Sequence, residues 1–143
     1  MRRVALVCPG RGSYSARTLG HLQRHGAVRP DLIAQADEAM VARGLTPVTT
    51  LDSAETFEDE AMMRGAQAAA LTFLCSIVDL HRLERETIEV TCVLGNSMGW
   101  YTALYAAGAL DFDDGLELIE TMGGMQSHGS GSQLVYPLVD DEW

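Results

Sequence analysis

The 143-residue sequence predicts an α/β domain built on a parallel sheet with flanking helices. Three observations carry that prediction. Two short β-rich runs, "RVALVC" at 3–8 and "EVTCVLG" at 89–95, are separated by helical stretches. Residues 65–84 are apolar over most of a helical circumference, as in a helix buried inside a core. The second run leads directly into Gly95-Asn96-Ser97-Met98-Gly99, and a helical pattern follows it.

Taken in order, residues 3–8 form a first strand, ended by Pro9-Gly10. "GRGSYS" is a glycine-containing loop. Residues 31–43 form a helix, with Asp31 as the candidate N-cap after Pro30 and Gly44 as its stop. "TPVTTLDS" is a connection. The stretch "SAETFEDEAMMR" starts a helix, with Glu55 and Glu58 suited to its first turn. After the buried helix and second strand comes "WYTALYAAGAL", a small-residue helix stopped by Gly108. Asp111 and Asp114 have capping-box spacing before "GLELIETM". "GGMQSHGSGS" reads as a flexible loop and "QLVYPLV" as a last strand. The order is β-α-α-α-β-turn-α-α-β, with only two or three strands.

Net charge is −10, which argues against broad nucleic-acid binding through phosphate contacts. All ten basic residues are arginine. Arg2, Arg3, Arg11, Arg17, Arg24 and Arg29 fall within the first 30 residues, so the N-terminal segment is a candidate basic surface on an acidic protein. No apolar run approaches the ~20 residues of a membrane span. The N-terminal apolar run is too short for a signal peptide, so a cytoplasmic protein is expected. Cys8, Cys75 and Cys92 have neither metal-ligand nor redox spacing and are expected to be small buried residues, with no metal site.

Strand, Gly-x-Ser-x-Gly and helix together are the context of a nucleophile elbow. The serine sits on a sharp strained turn, which needs glycine at 95 and 99 for close chain approach. The helix after it directs free N–H groups and a positive dipole end at the site. Ser97 is therefore the candidate nucleophile, and the Met98 N–H a candidate oxyanion donor. A serine also needs a base. His21 and His25, four apart, are read as surface residues and His81 as solvated. His128 falls in the Gly/Ser stretch, and none of the four histidines stands out as the base.

These motifs resemble the malonyl-CoA:acyl-carrier-protein transacylases and the acyltransferase domains of fatty-acid and polyketide synthases. "ALVCPGRGSYS" is similar to the opening strand and loop of that family. "RGAQAAALTFLCSIVDL" resembles its buried helix, and "GNSMGWYTALYAAGALDFDDGLELI" its serine segment with the helix that follows. "SGSQLVYPLVDDEW" resembles the entry into its small inserted subdomain. The resemblance implies the N-terminal half of such an enzyme. Residues 1–127 would be part of an α/β-hydrolase-like large subdomain, incomplete, and 128–143 the truncated start of a small ferredoxin-like subdomain.

The implied reaction moves an acyl group, nominally malonyl, from coenzyme A to the phosphopantetheine thiol of an acyl carrier protein through an acyl-serine. No bound cofactor, nucleic acid or membrane is implied; acyl-CoA and the carrier protein are the partners. Ser97 would be the nucleophile, with the Arg11 and Met98 N–H groups as the oxyanion hole and Gln67, Arg11, Asn96 and Met122 at the substrate. Asn96 stands where the family has histidine, and Trp100 where it has glutamate. Met122 falls near the family's carboxylate-binding arginine, and 121–126 contains no arginine. A chain of this kind, lacking its base, is expected to be poorly active and to expose apolar surface. A serine hydrolase or thioesterase shares the elbow, and a non-catalytic interaction module is the third reading.

Overall fold

The computed structural model describes residues 1–57 and 65–128. The first strand, β1 (Arg2–Cys8), leads through a 3-10 turn at Arg11–Ser13 to a short helix α1 (His21–His25). Then follow α2 (Pro30–Ala42), α3 (Val48–Asp52) and α4 (Gly65–His81). Strand β2 (Ile88–Gly95), α5 (Gly99–Ala106) and α6 (Phe112–His128) complete the described elements. The α/β class with a parallel sheet and flanking helices is what the sequence predicts. The expected strand in "QLVYPLV" lies outside the described residues, as does the C-terminal part of "SAETFEDEAMMR".

Several boundaries differ from the sequence reading, each for a physical reason. Asp31 is not the N-cap of α2: Arg29 holds that position, Pro30 opens the helix, and Asp31 sits in the first turn. The supposed connection "TPVTTLDS" contains α3, whose Thr49 N–H donates to the Asp37 carboxylate at 3.0 Å. Helix α6 runs through "GGMQSH" rather than ending before it. Gly123 serves close packing there: a Cβ on it would lie 2.8 Å from the Ala66 Cα and the Gly65 carbonyl oxygen. At the other end of α6, the Asp111 carboxylate accepts from the Asp114 N–H at 2.9 Å, as an N-cap does.

The core is helical. Phe73, Leu74, Ile77 and Val78 of α4 are fully buried against Leu32, Ala36 and Met40 of α2 and Leu116 and Ile119 of α6. Phe73 stacks on Phe112 with ring centroids 5.9 Å apart, and Tyr105 of α5 meets Phe73 edge-on at 6.0 Å. Phe73 thus faces the start of α6 while Gly65 and Ala66 face Gly123, so α4 and α6 run antiparallel. This explains why α4 is apolar nearly all round: it has neighbours on several sides.

Strands β1 and β2 pair in parallel, with Leu6 opposite Val93 and Val7 opposite Leu94. The register shifts between Val4 and Ala5, where Thr91 is the extra residue. Because side chains alternate, Leu6 and Val93 share the face that turns toward the helices. Ala5, Val7, Cys92 and Leu94 share the other, which is open: Val7 is 62% exposed and Leu94 43%. Exposed apolar surface is therefore present, as expected. Cys92 is exposed and Cys75 half-buried, so of the three free cysteines only Cys8 is the small buried residue the sequence suggested. The cause is the uncovered sheet face, which periodicity cannot reveal.

Candidate active site

Both strands end at the same place, and the residues after them form the site. Cys8 is paired with Gly95, and the Asn96 N–H donates to the Cys8 carbonyl at 3.0 Å, one residue past the ladder. The chain then reverses into α5 within three residues. Gly99 N–H reaches the Asn96 carbonyl at 2.8 Å and Trp100 N–H the Ser97 carbonyl at 3.1 Å. Ser97 lies at the apex with φ of 52°, the one non-glycine residue at positive φ among those described. Such a conformation costs of order 1–3 kcal/mol and persists where the surroundings enforce it.

The surroundings are the two glycines. A Cβ on Gly95 would lie 2.2 Å from the Trp100 nitrogen, and one on Gly99 would lie 2.2 Å from the Cys8 carbonyl oxygen. The turn closes only with no side chain at either position. Ser97 and Asn96 are exposed, while Met98 is buried in the core as the N-cap residue of α5. Its N–H precedes the first intrahelical bond, where donors remain open to an outside acceptor.

The loop after β1 forms the other wall. A Cβ on Gly10 would sit 3.1 Å from the Asn96 carbonyl oxygen and 3.5 Å from the Ser97 Cβ, so Pro9-Gly10 rests against the elbow. Arg11 follows at the start of its turn, and its carbonyl accepts from the Thr72 hydroxyl of α4 at 3.2 Å. Thr72 therefore ties the loop to the buried helix. The available sequence signal for it is a threonine within an apolar run. The strand ends thus bring together Ser97, Met98, Asn96 and Arg11. Gln67 lies five residues before Thr72 on α4, roughly 7–8 Å along the helix. Met122, half-buried on α6, is next to the Gly123 contact with Gly65 and Ala66, at the same end of the helix pair as Gln67.

The described histidines are engaged elsewhere. His21 is not a simple surface residue: its side chain is 16% exposed and its Nε2 lies 3.1 Å from Asp79, with His25 edge-on at 4.8 Å. His81 Nε2 lies 3.0 Å from both the Arg29 guanidinium and the Tyr105 hydroxyl. Arginine can only donate, so that nitrogen is the acceptor and the ring is neutral. Burial, then Arg29 and Arg85, hold His81 below its ordinary value. The side chain of His128 lies outside the described residues. Among the described residues, no group of three or more His, Cys, Asp or Glu is placed to hold a metal ion, and no helix is long and apolar enough to cross a membrane.

The protein is of the α/β class, with a serine at positive φ between two close-packed glycines on the turn from a parallel strand into a helix. Comparison with known proteins narrows this. No family model matches the chain. It is similar to the malonyl CoA-acyl carrier protein transacylase of Haemophilus influenzae, with 27% identity over an alignment of 144 positions covering 97% of this chain and 44% of that protein. The transacylase of Bacillus subtilis is 30% identical over 123 positions, covering 86% of this chain and 37% of that protein. Erythronolide synthase EryA3 of Saccharopolyspora erythraea is 29% identical over 142 positions, covering 92% of this chain and 4% of the synthase. Over most of its length, then, this chain is similar to malonyl CoA-acyl carrier protein transacylases and to part of a polyketide synthase, and it spans less than half the length of those transacylases.

Proposed function

We propose that this chain takes part in acyl transfer from coenzyme A to the phosphopantetheine thiol of an acyl carrier protein, with Ser97 as the acylated residue. The observation that carries the reading is the positive φ of Ser97, enforced at a glycine-flanked turn between strand and helix. The Ser97 Oγ attacks the thioester carbonyl and gives its proton to a base. The tetrahedral oxyanion is met by the Met98 and Arg11 N–H groups, and coenzyme A leaves as its thiol. The carrier thiol then attacks the acyl-serine and regenerates the hydroxyl. With His21, His25 and His81 engaged elsewhere, the base is supplied from outside the described residues. The proposal includes an α/β-hydrolase-like large subdomain over 1–127 and the start of a smaller one over 128–143.

The test is intact-protein mass spectrometry after incubation with malonyl-CoA or acetyl-CoA. A single adduct of the acyl mass is expected, lost in Ser97→Ala. An adduct that survives Ser97→Ala places the acyl group elsewhere and ends the reading. Rapid release of free acid with no carrier-protein acylation would favour a hydrolase instead.

The acyl group follows from Met122. A malonyl carboxylate desolvated beside a thioether, with no cation, is costly. Either the acyl group is uncharged or another cation meets it, and the Arg11 side chain, on the turn beside the elbow, is the candidate. Arg11→Gln is accordingly expected to reduce acylation by malonyl-CoA about tenfold more than acylation by acetyl-CoA, the scale of one charge-assisted contact. Equal effects on both would remove Arg11 from carboxylate recognition and leave an uncharged acyl group.

A further inference from the structure

Charge is split along this chain, and the fold turns the split into a surface. All 20 acidic residues lie beyond residue 30, whereas six of the ten arginines precede it. Some of those arginines are taken. Arg29 is held by Asp31 at 2.6 Å, and Arg3 lies 3.8 Å from Glu89. Arg17 and Arg24 form no ion pair among the described residues.

Arg24 is fixed by neutral groups instead. Its Nη1 donates to the Leu19 carbonyl at 2.8 Å and its Nη2 to the Thr18 carbonyl at 3.4 Å. That holds the guanidinium against the turn carrying the exposed Arg17. A charge held this way loses little side-chain freedom when it binds. His21 and His25 lie on the same short helix, and Arg24, Arg82 and Asp79 are the charged groups around His25. Asp79 is the acid within this group, and it is already shared between Arg82 at 2.9 Å and His21 at 3.1 Å. A cavity of about 110 Å3, lined by Pro9, Ser13, Thr18, His21 and Asp79 among others, joins this face to the loop after β1. Gly10 of that loop rests on Ser97. The basic face is thus one loop away from the elbow.

We propose that the face formed by Arg17, Arg24, Arg82, His21 and His25 docks an acidic protein domain that delivers the acceptor thiol to Ser97. The identity of the partner rests on the acyl-transfer reading of Ser97. The location rests on charge. A chain of net charge −10 repels an acidic partner over most of its surface, so attraction through a local patch sets where and how it lands. Contacts of this kind are screened by salt over a Debye length of ~8–10 Å.

The experiment measures binding of a phosphopantetheinylated acyl carrier protein to the Ser97→Ala chain, which needs no chemistry. Arg17→Glu and Arg24→Glu together are expected to weaken binding at least about tenfold, and raising salt from about 0.05 to 0.5 M to do the same, the scale of one or two lost charge contacts. Arg17→Lys with Arg24→Lys should restore most of the affinity. Arg17→Glu alone, at an exposed turn position, should show part of the loss without touching the carbonyl contacts of Arg24. Affinity indifferent to these changes overturns the proposal. So does tighter binding of a single-stranded oligonucleotide or of phosphatidylglycerol vesicles than of the carrier protein. Loss of the Ser97 adduct with docking intact would end the acyl-transfer reading and leave the docking face. The adduct with no docking would do the reverse.

Discussion

Gly99→Ala is expected to cost at least about 3 kcal/mol of folding stability, the upper range for overpacking against atoms that cannot move aside. The added Cβ would lie 2.2 Å from the Cys8 carbonyl oxygen, 2.7 Å from the Cys8 carbonyl carbon and 2.7 Å from the Pro9 oxygen. All three are backbone. Moving them breaks the 3.0 Å bond from the Asn96 N–H to the Cys8 carbonyl, the last link between the strand ends. Total stabilities of small domains are about 5–15 kcal/mol, so the loss is a large share. The measurement is the urea midpoint, read against Gly124→Ala. At Gly124 a Cβ meets nothing within 4 Å, and replacing glycine in a helix is expected to gain about 0.5–1 kcal/mol. A Gly99→Ala chain as stable as wild type would show that the elbow does not close as described, and the geometry behind Ser97 would fall with it.

The elbow was legible in the sequence because its requirements are local. Gly95, Ser97 and Gly99 must have those sizes at that spacing whatever surrounds them. The strand before and the helix after read directly from β-branching and small residues. The long helix α4 was legible for a similar reason, since its apolar circumference covers Gly65–His81 nearly end to end. The losses came where an element depends on distant partners. Helix α3 has five residues and a threonine-rich sequence, and it is held by the Asp37 carboxylate from α2. Helix α1 is equally short and takes its capping from Asp52, about 30 residues later. Gly123 and Gly124 look like a loop to any local rule, yet Gly123 is a packing residue of α6.

The site shows the same division. Ser97, Met98 and the loop at Arg11 meet because β1 and β2 are neighbours in a parallel pair whose ends coincide at Cys8 and Gly95. A parallel sheet makes that meeting predictable once the strands are assigned. What the sequence could not supply was the role of Thr72 in tying the Arg11 carbonyl to α4, or the occupation of the histidines. Both depend on where helices cross, which a single sequence leaves open.

Asp52→Ala carries the other large effect, an expected loss of about 3–5 kcal/mol, the range for orphaning the partners of a buried charged group. Asp52 is 1% exposed. Its Oδ1 accepts from the Tyr14 hydroxyl at 2.6 Å, and its Oδ2 from the Leu22 and Gln23 N–H groups at 2.9 and 3.2 Å. Its own carbonyl accepts from the Gly20 N–H at 2.8 Å. One residue thus caps α1, fixes Tyr14 and anchors the turn that carries Arg17 and Arg24. Alanine leaves three donors without their acceptor. Asp52→Asn keeps an acceptor and the shape, so it should lose only about 1–2 kcal/mol, as for one hydrogen bond. Equal losses for the two variants would show packing, not hydrogen bonding, to be the cause. The pH dependence has a definite sign. Burial, and then Asp52, push the Tyr14 phenol well above its ordinary value of 10.0. A folded-state value above the unfolded one means a contribution fully present below pH 10.0 and lost as pH rises beyond it. Tyr14→Phe should flatten that alkaline loss while leaving the α1 cap in place, which a urea series across alkaline pH resolves.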